Sequence, residues 1–303
     1  MAIDFEQEVI GIANMVKPHD AQISDDTIAL SIEVALEVDE RYGLGSDHQL
    51  DYHNGEHGLD VARCVTILNN IIYPYVPPRY QPQLFDLGLL GGVGNDYEQE
   101  LGPGANEAAT GAYLVAKVQA QGSSEINNPD FRDRLYDGIQ ATVIEKDEDG
   151  RIIQPNIREG SQDPFRWSLP TGDVNGVAIE GSARMFKDAT RLCFEEYGNP
   201  TLDQIYDFLI SQAGFLRDRV DDEQVRADMA HFFPLEVDQV YADMTKAFHG
   251  NIISAYALAK ALDRHRELKG AVGLAVKGAS LLDRSLLGDR IGRAVHTAAE
   301  ALA

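Results

Sequence analysis

The chain is short of the residues that staple secreted proteins or grip nucleic acids. Only two cysteines, Cys64 and Cys193, occur in 303 residues. They are too few and too far apart for a disulfide framework, so a stapled fold is excluded and both read as small apolar residues on helices. Positive charge is scarce: 26 Lys and Arg stand against 49 Asp and Glu, a net charge of −23. No basic cluster occurs, so a nucleic-acid partner is not expected. An anionic small molecule would be repelled unless a bound cation or a focused group of Arg and Lys drew it in. No apolar run approaches the ~18 residues that span a bilayer, so no membrane partner is expected. The N-terminal Met1-Ala2-Ile3-Asp4-Phe5-Glu6 lacks the basic stretch of a signal peptide, which makes the reducing cytoplasm the expected compartment. Strand-like alternation is nearly missing, with Arg151–Pro155 the exception.

What is present is helical spacing. Ser24 reads as an N-cap before a helix over Asp25–Arg41, stopped at Gly43. A second helix is expected from about Asn54 to Ile72, with His57, Val61, Val65, Leu68 and Ile72 on one stripe. Pro74, Pro77, Pro78 and Pro82 mark a loop. A third helix over about Leu84–Asn95 carries Gly88, Gly91, Gly92 and Gly94, and so many helix-weakening glycines predict close approach by a neighbouring backbone. Further helices are expected at about Asn106–Gln121, Pro129–Lys146, Ser182–Tyr197, Thr201–Arg219 and Pro234–Leu268, with a last one or two over Ala271–Leu302. Asp147–Ser168 reads as a polar stretch with a turn at Asp149-Gly150 and room for a short hairpin. The pattern predicts an all-α helical bundle: a core over 1–220 and a helical extension over 221–303 packed on it, together one continuous domain.

The chemistry concentrates at Tyr52-His53-Asn54-Gly55-Glu56-His57-Gly58-Leu59-Asp60-Val61. Two of only eight histidines stand here, four residues apart, and on a helix that spacing puts both on one face. Such a pair can offer nitrogens to one metal ion or one phosphate. Asn95-Asp96 follows the glycine-rich helix, where a buried acid needs a reason. Other features are weaker. Gly91-Gly92-Val93-Gly94 lacks the lysine of a phosphate-binding loop. Arg217 and Arg219, at i,i+2, face different ways and read as salt-bridge partners of nearby acids.

The Tyr52-His53-Asn54-x-x-His57-x-x-Asp60-Val61 pattern resembles the HD-domain superfamily of metal-dependent phosphohydrolases, in the form seen in cyclic-nucleotide phosphodiesterases. Asn106-Glu107-Ala108-Ala109-Thr110 is similar to a segment that follows the family's His-Asp pair, and Asn95-Asp96 stands where that pair is expected. The likeness covers roughly residues 45–200. It implies an HD-like fold, a divalent metal (Mn, Mg, Fe or Zn) and hydrolysis of a small phosphorylated molecule, most simply a nucleotide. It implies that His57, Asn95, Asp96 and Asp173 hold the metal. His53 and Asp96 would be catalytic, His53 as a general acid. Asn54, Glu107 and Thr142 would face the substrate, and Asp60 would support His57 from behind.

Asn95 departs from the family, which has histidine there. An amide oxygen is a hard, neutral and weak ligand, adequate for Mg²⁺, Mn²⁺ or Ca²⁺ and poor for zinc or iron. Three states stay open: one weakly held ion, none, or a site emptied by an engineered substitution. The alternative function is therefore a catalytically degenerate HD-like protein that binds a ligand or partner without turnover. Oxygenation on an iron pair ranks last, since it needs still more nitrogen and carboxylate ligands. The Ala- and Leu-rich C-terminal helices offer a surface for a homodimer.

Overall fold

The computed structural model describes residues 3–122, 125–146, 148, 152–221, 223–264 and 296–297. Side chains at 175–180, 202, 213, 215–221, 223, 224, 249 and 262 lie outside that description. So do the Asp149-Gly150 turn, the Arg217 and Arg219 side chains and, apart from His296 and Thr297, the helices expected over 271–302.

The described chain is all-α except for one hairpin of two-residue strands. The helices are α1 (Phe5–Ala13), α2 (Asp25–Tyr42), α3 (Gly55–Ile72), α4 (Leu84–Gly94), α5 (Ala105–Ala120), α6 (Pro129–Gln140), α7 (Phe165–Glu180), α8 (Ser182–Tyr197), α9 (Leu202–Asp221), α10 (Glu223–Phe232) and α11 (Val237–Arg264). Strands β1 (Glu145–Lys146) and β2 (Ile152–Ile153) pair antiparallel. None of the described helices is long and apolar enough to cross a membrane.

Local chemistry sets most helix ends. Ser24 Oγ accepts from Thr27 N at 3.2 Å and opens α2. Thr201 and Gln204 form a reciprocal capping box before α9: Gln204 N donates to Thr201 Oγ1 at 3.3 Å, and Thr201 N to Gln204 Oε1 at 2.8 Å. Helix α6 ends at Gln140 rather than near Lys146. Thr142 Oγ1 turns back to donate to Ile139 O at 2.8 Å, and β-branched residues follow it.

Helix α7 is the main departure from the sequence pattern. Pro170, Gly172 and Gly176 argue against a helix there, yet Phe165–Glu180 is helical. Tertiary contact outweighs the local preference. Phe165, Trp167 and Leu169 are fully buried, and Gln154 Nε2 donates to the Pro170 carbonyl at 3.2 Å, tying the helix to the chain before it. Helix α11 runs unbroken through Gly250.

The chain divides into two compact units: Met1–His48, His53–Gly176 and Arg226–Asp243 in one; Gln49–Tyr52, Val177–Val225 and Met244–Ala303 in the other. This differs from the expected boundary at 220/221. Residues 226–243 join the first unit because Trp167 packs edge-on against Phe233, Arg158 pairs with Asp228, and Tyr75 OH donates to Asp243 Oδ2 at 2.7 Å. In the second unit α8 and α9 meet through an edge-on Tyr197–Phe208 contact.

The first unit is built around α4, every residue of which is buried. Its glycines let α3 come to backbone contact. A Cβ on Gly92 would lie 2.5 Å from Ala62 Cα, and one on Gly58 would lie 2.4 Å from Val93 O. Gly172 of α7 is equally tight, its absent Cβ standing 2.6 Å from Val65 Cγ2. These contacts fix where α3 begins, where α4 ends and where the middle of α7 passes.

Candidate metal centre

Three backbone elements converge at that point. Asn54 ends the non-helical approach to α3, and its Oδ1 accepts from Glu56 N at 3.0 Å and His57 N at 3.3 Å. The cap holds His57 in the first turn, 5% exposed. Asn95 caps the C-terminal end of α4, 4% exposed, and Asp96 follows it. Asp173 comes from the middle of α7.

His57 Nε2 lies 3.2 Å from Asp96 Oδ2 and 3.3 Å from Asp173 Oδ1. One ring nitrogen carries at most one proton and cannot serve two carboxylates equally. Asn95 Nδ2 donates to the same Asp173 Oδ1 at 3.1 Å. The amide's other end, Asn95 Oδ1, is buried without a hydrogen-bond partner. The ligand atoms of His57, Asp96 and Asp173 all fall within 4.8 Å of one another. An imidazole and two carboxylates gathered this closely could hold a metal ion, and the orphaned amide oxygen beside them is a further acceptor that such an ion would satisfy.

The remaining candidates divide. His53 is not on the helix: Asn54 takes the cap, so the chain leaves helical geometry one residue earlier, and the expected shared helix face does not exist. The two rings still meet edge-on, 5.7 Å between centroids. Asn54 spends its side-chain oxygen on the cap. Asp60 is buried and pairs with Arg63 Nη1 at 2.9 Å, while Arg63 Nη2 donates to Glu8. Thr142 is buried and bonded to its own helix end. Glu107 Oε2 accepts from Gly104 N at 2.6 Å at the start of α5. Burial, and then the nearby Asp96 and Asp173 charges, push the Glu107 carboxyl above its ordinary range.

Gln99, which the sequence reading passed over, donates through Nε2 to Asp96 Oδ1 at 2.9 Å. Its only signal is its position three residues beyond the acid. With Gln99 on one oxygen and His57 facing the other, the Asp96 carboxylate is held in one orientation.

No family model, curated protein or solved structure matches this chain.

Proposed function

We propose that the protein is a metal-dependent phosphohydrolase or phosphodiesterase of HD-like type, acting on a small phosphorylated molecule, most simply a nucleotide. One observation carries the reading. Residues 57, 96 and 173, named by the resemblance of separate motifs, meet within 4.8 Å through three different elements. Two aspartates side by side in a chain of net charge −23 repel a phosphate. A divalent ion held by His57, Asp96 and Asp173 would reverse that local field and lower the pKa of a bound water.

The chain's own groups have separable tasks. His57, Asp96 and Asp173, with the amide of Asn95, would hold the ion. Gln99 and the Asn54 cap orient Asp96 and His57. His53, half-buried beside His57 but off the helix, would deliver a proton to the leaving oxygen. Glu107 stands at the start of α5, its carboxyl raised by burial and by the charges of the two aspartates.

The second reading, ligand binding without turnover, draws on Asn95. Its N–H occupies the Asp173 oxygen that an ion would use. Metal analysis and turnover of a chromogenic phosphate ester and phosphodiester separate the two. The enzyme reading expects a retained stoichiometric divalent ion, with Asp96→Ala losing both metal and hydrolysis. Protein without metal, inactive in added Mn²⁺, sinks it.

A further inference from the structure

We propose that the centre is mononuclear, takes a hard divalent cation of the magnesium, manganese or calcium class, and uses Asn95 Oδ1 as its fourth protein ligand. The inference rests on the metal-centre part of the reading above and not on phosphoester hydrolysis.

The span argues for one ion. Ligands at about 2.0–2.6 Å from a single hard cation stand at most about 4–5 Å apart across it. The His57, Asp96 and Asp173 ligand atoms lie within 4.8 Å of one another. A pair of ions about 3.5–4 Å apart would need further ligands beyond these, even with one carboxylate bridging the two. Among the described residues, the only such ligand group is His57, Asp96 and Asp173. His53 meets His57 ring edge to ring face at 5.7 Å and is not among the converging ligand atoms. His48 Nδ1 is 2.9 Å from Glu100, and His296 Nε2 is 2.9 Å from Ser182 Oγ. One nitrogen and three oxygens is an oxygen-dominated set, the kind that suits hard cations rather than zinc or iron.

Asn95 supplies the third oxygen by turning over. Its amide is nine-tenths buried, with Nδ2 on Asp173 Oδ1 and Oδ1 without a partner. The two ends of a carboxamide exchange places on a half-turn about Cβ–Cγ. Before the turn, the N–H ties Asp173 in place. After it, the acceptor end would face an ion held by Asp173, and the N–H₂ would take the oxygen's former place. Asn95 is thus a positioning donor in one state and a ligand in the other. Neither alanine nor leucine can do both.

The test is a Mn²⁺ titration of the full chain, read by loss of the free-ion electron paramagnetic resonance signal, with Asp173→Ala as the reference for ions bound elsewhere on the acidic surface. One ion per chain, absent from Asp173→Ala and displaced by excess Mg²⁺ or Ca²⁺, is expected. Asn95→Leu, whose fold is checked by circular dichroism, should weaken that ion at least tenfold, and Asn95→Asp should restore it. The Asn95 side-chain ¹⁵N–¹H₂ resonances, assigned by their loss in Asn95→Asp, should move on adding Mg²⁺. Two ions lost together in Asp173→Ala, or wild-type affinity in folded Asn95→Leu, overturns the inference and leaves the hydrolase reading standing. No ion at all overturns both. One ion with the Asn95 dependence but no turnover of any phosphate ester supports the inference and removes the hydrolase reading.

Discussion

Helices α3 and α4 meet in two different ways. Along their facing sides the contact is nearly at backbone distance, with Gly92 against Ala62 and Gly58 against Val93. At their shared end the contact is polar: His57 from the first turn of α3 faces Asp96 just past α4, with Asn95 between them and α7. The first contact is one of shape, because backbone and small groups stand where an added Cβ would collide. The second is one-sided, because two carboxylates gather around one imidazole nitrogen. The seam has to be tight for the end to be organised. Moving α3 away by one methyl group would carry His57 out of reach of Asp96. Stability and site geometry therefore load on different residues of the same two helices.

Substitutions that strike only one of the two contacts test this division. The largest effect is expected at Gly92→Ala. In an open helix this change gains about 1 kcal/mol. Here the new Cβ would sit 2.5 Å from the Ala62 backbone, which cannot swing aside as a side chain does. A net loss of about 3 kcal/mol is expected from overpacking, read as a lower urea midpoint. A midpoint equal to or above wild type would show that the seam is loose.

Next comes Asp173→Ala, which should abolish the rise in melting temperature that added Mn²⁺ or Mg²⁺ produces. Without added metal it should leave the melting temperature unchanged or higher, since one of two crowded carboxylates is gone. A large loss of stability in metal-free buffer would mean that the aspartate serves the fold instead.

Asn54→Ala probes the junction of the two. Loss of the cap should cost about 1 kcal/mol. It should also weaken metal binding, because the first turn carrying His57 frays; an unchanged metal response would show that the turn is held without its cap.

The smallest effect is electrostatic and lies beside the seam. Burial and the neighbouring Glu56 raise the Asp39 carboxyl above its ordinary range. A raised carboxyl favours the folded state while protonated, so its contribution is fully present below the ordinary value of 3.8 and is lost as pH rises through the folded-state value. Asp39→Asn should therefore melt slightly higher than wild type at neutral pH, and the gain should fade on acidification below the ordinary carboxylate range. A gain constant across pH would place its cause elsewhere.

What could be read in advance followed the range of the interaction. Ser24, Asn54 and Thr201 act on backbone groups two or three residues away, and the helices they open stand where the pattern put them. The glycines of α4 announced a close neighbour without naming it, because an absent side chain does not say what fills its place. Helix α7 was hidden by Pro170 and Gly172, whose local cost is outweighed by burial of Phe165, Trp167 and Leu169. His53 was misplaced for the opposite reason: the i,i+4 count assumed a helix that Asn54 does not let begin so early.

The sequence by itself determined that this chain is helical, where most helices start, and that His57 lies at the head of one of them. Those properties depend on residues within a turn of each other. Only the tertiary structure decided that His57 meets Asp173, 116 residues away, and that Asn95 donates to the same carboxylate from 78 residues away. Chain separation places no limit on those contacts. They follow from how closely α3, α4 and α7 pack, and that is set by three glycines whose missing side chains leave room for a neighbouring helix.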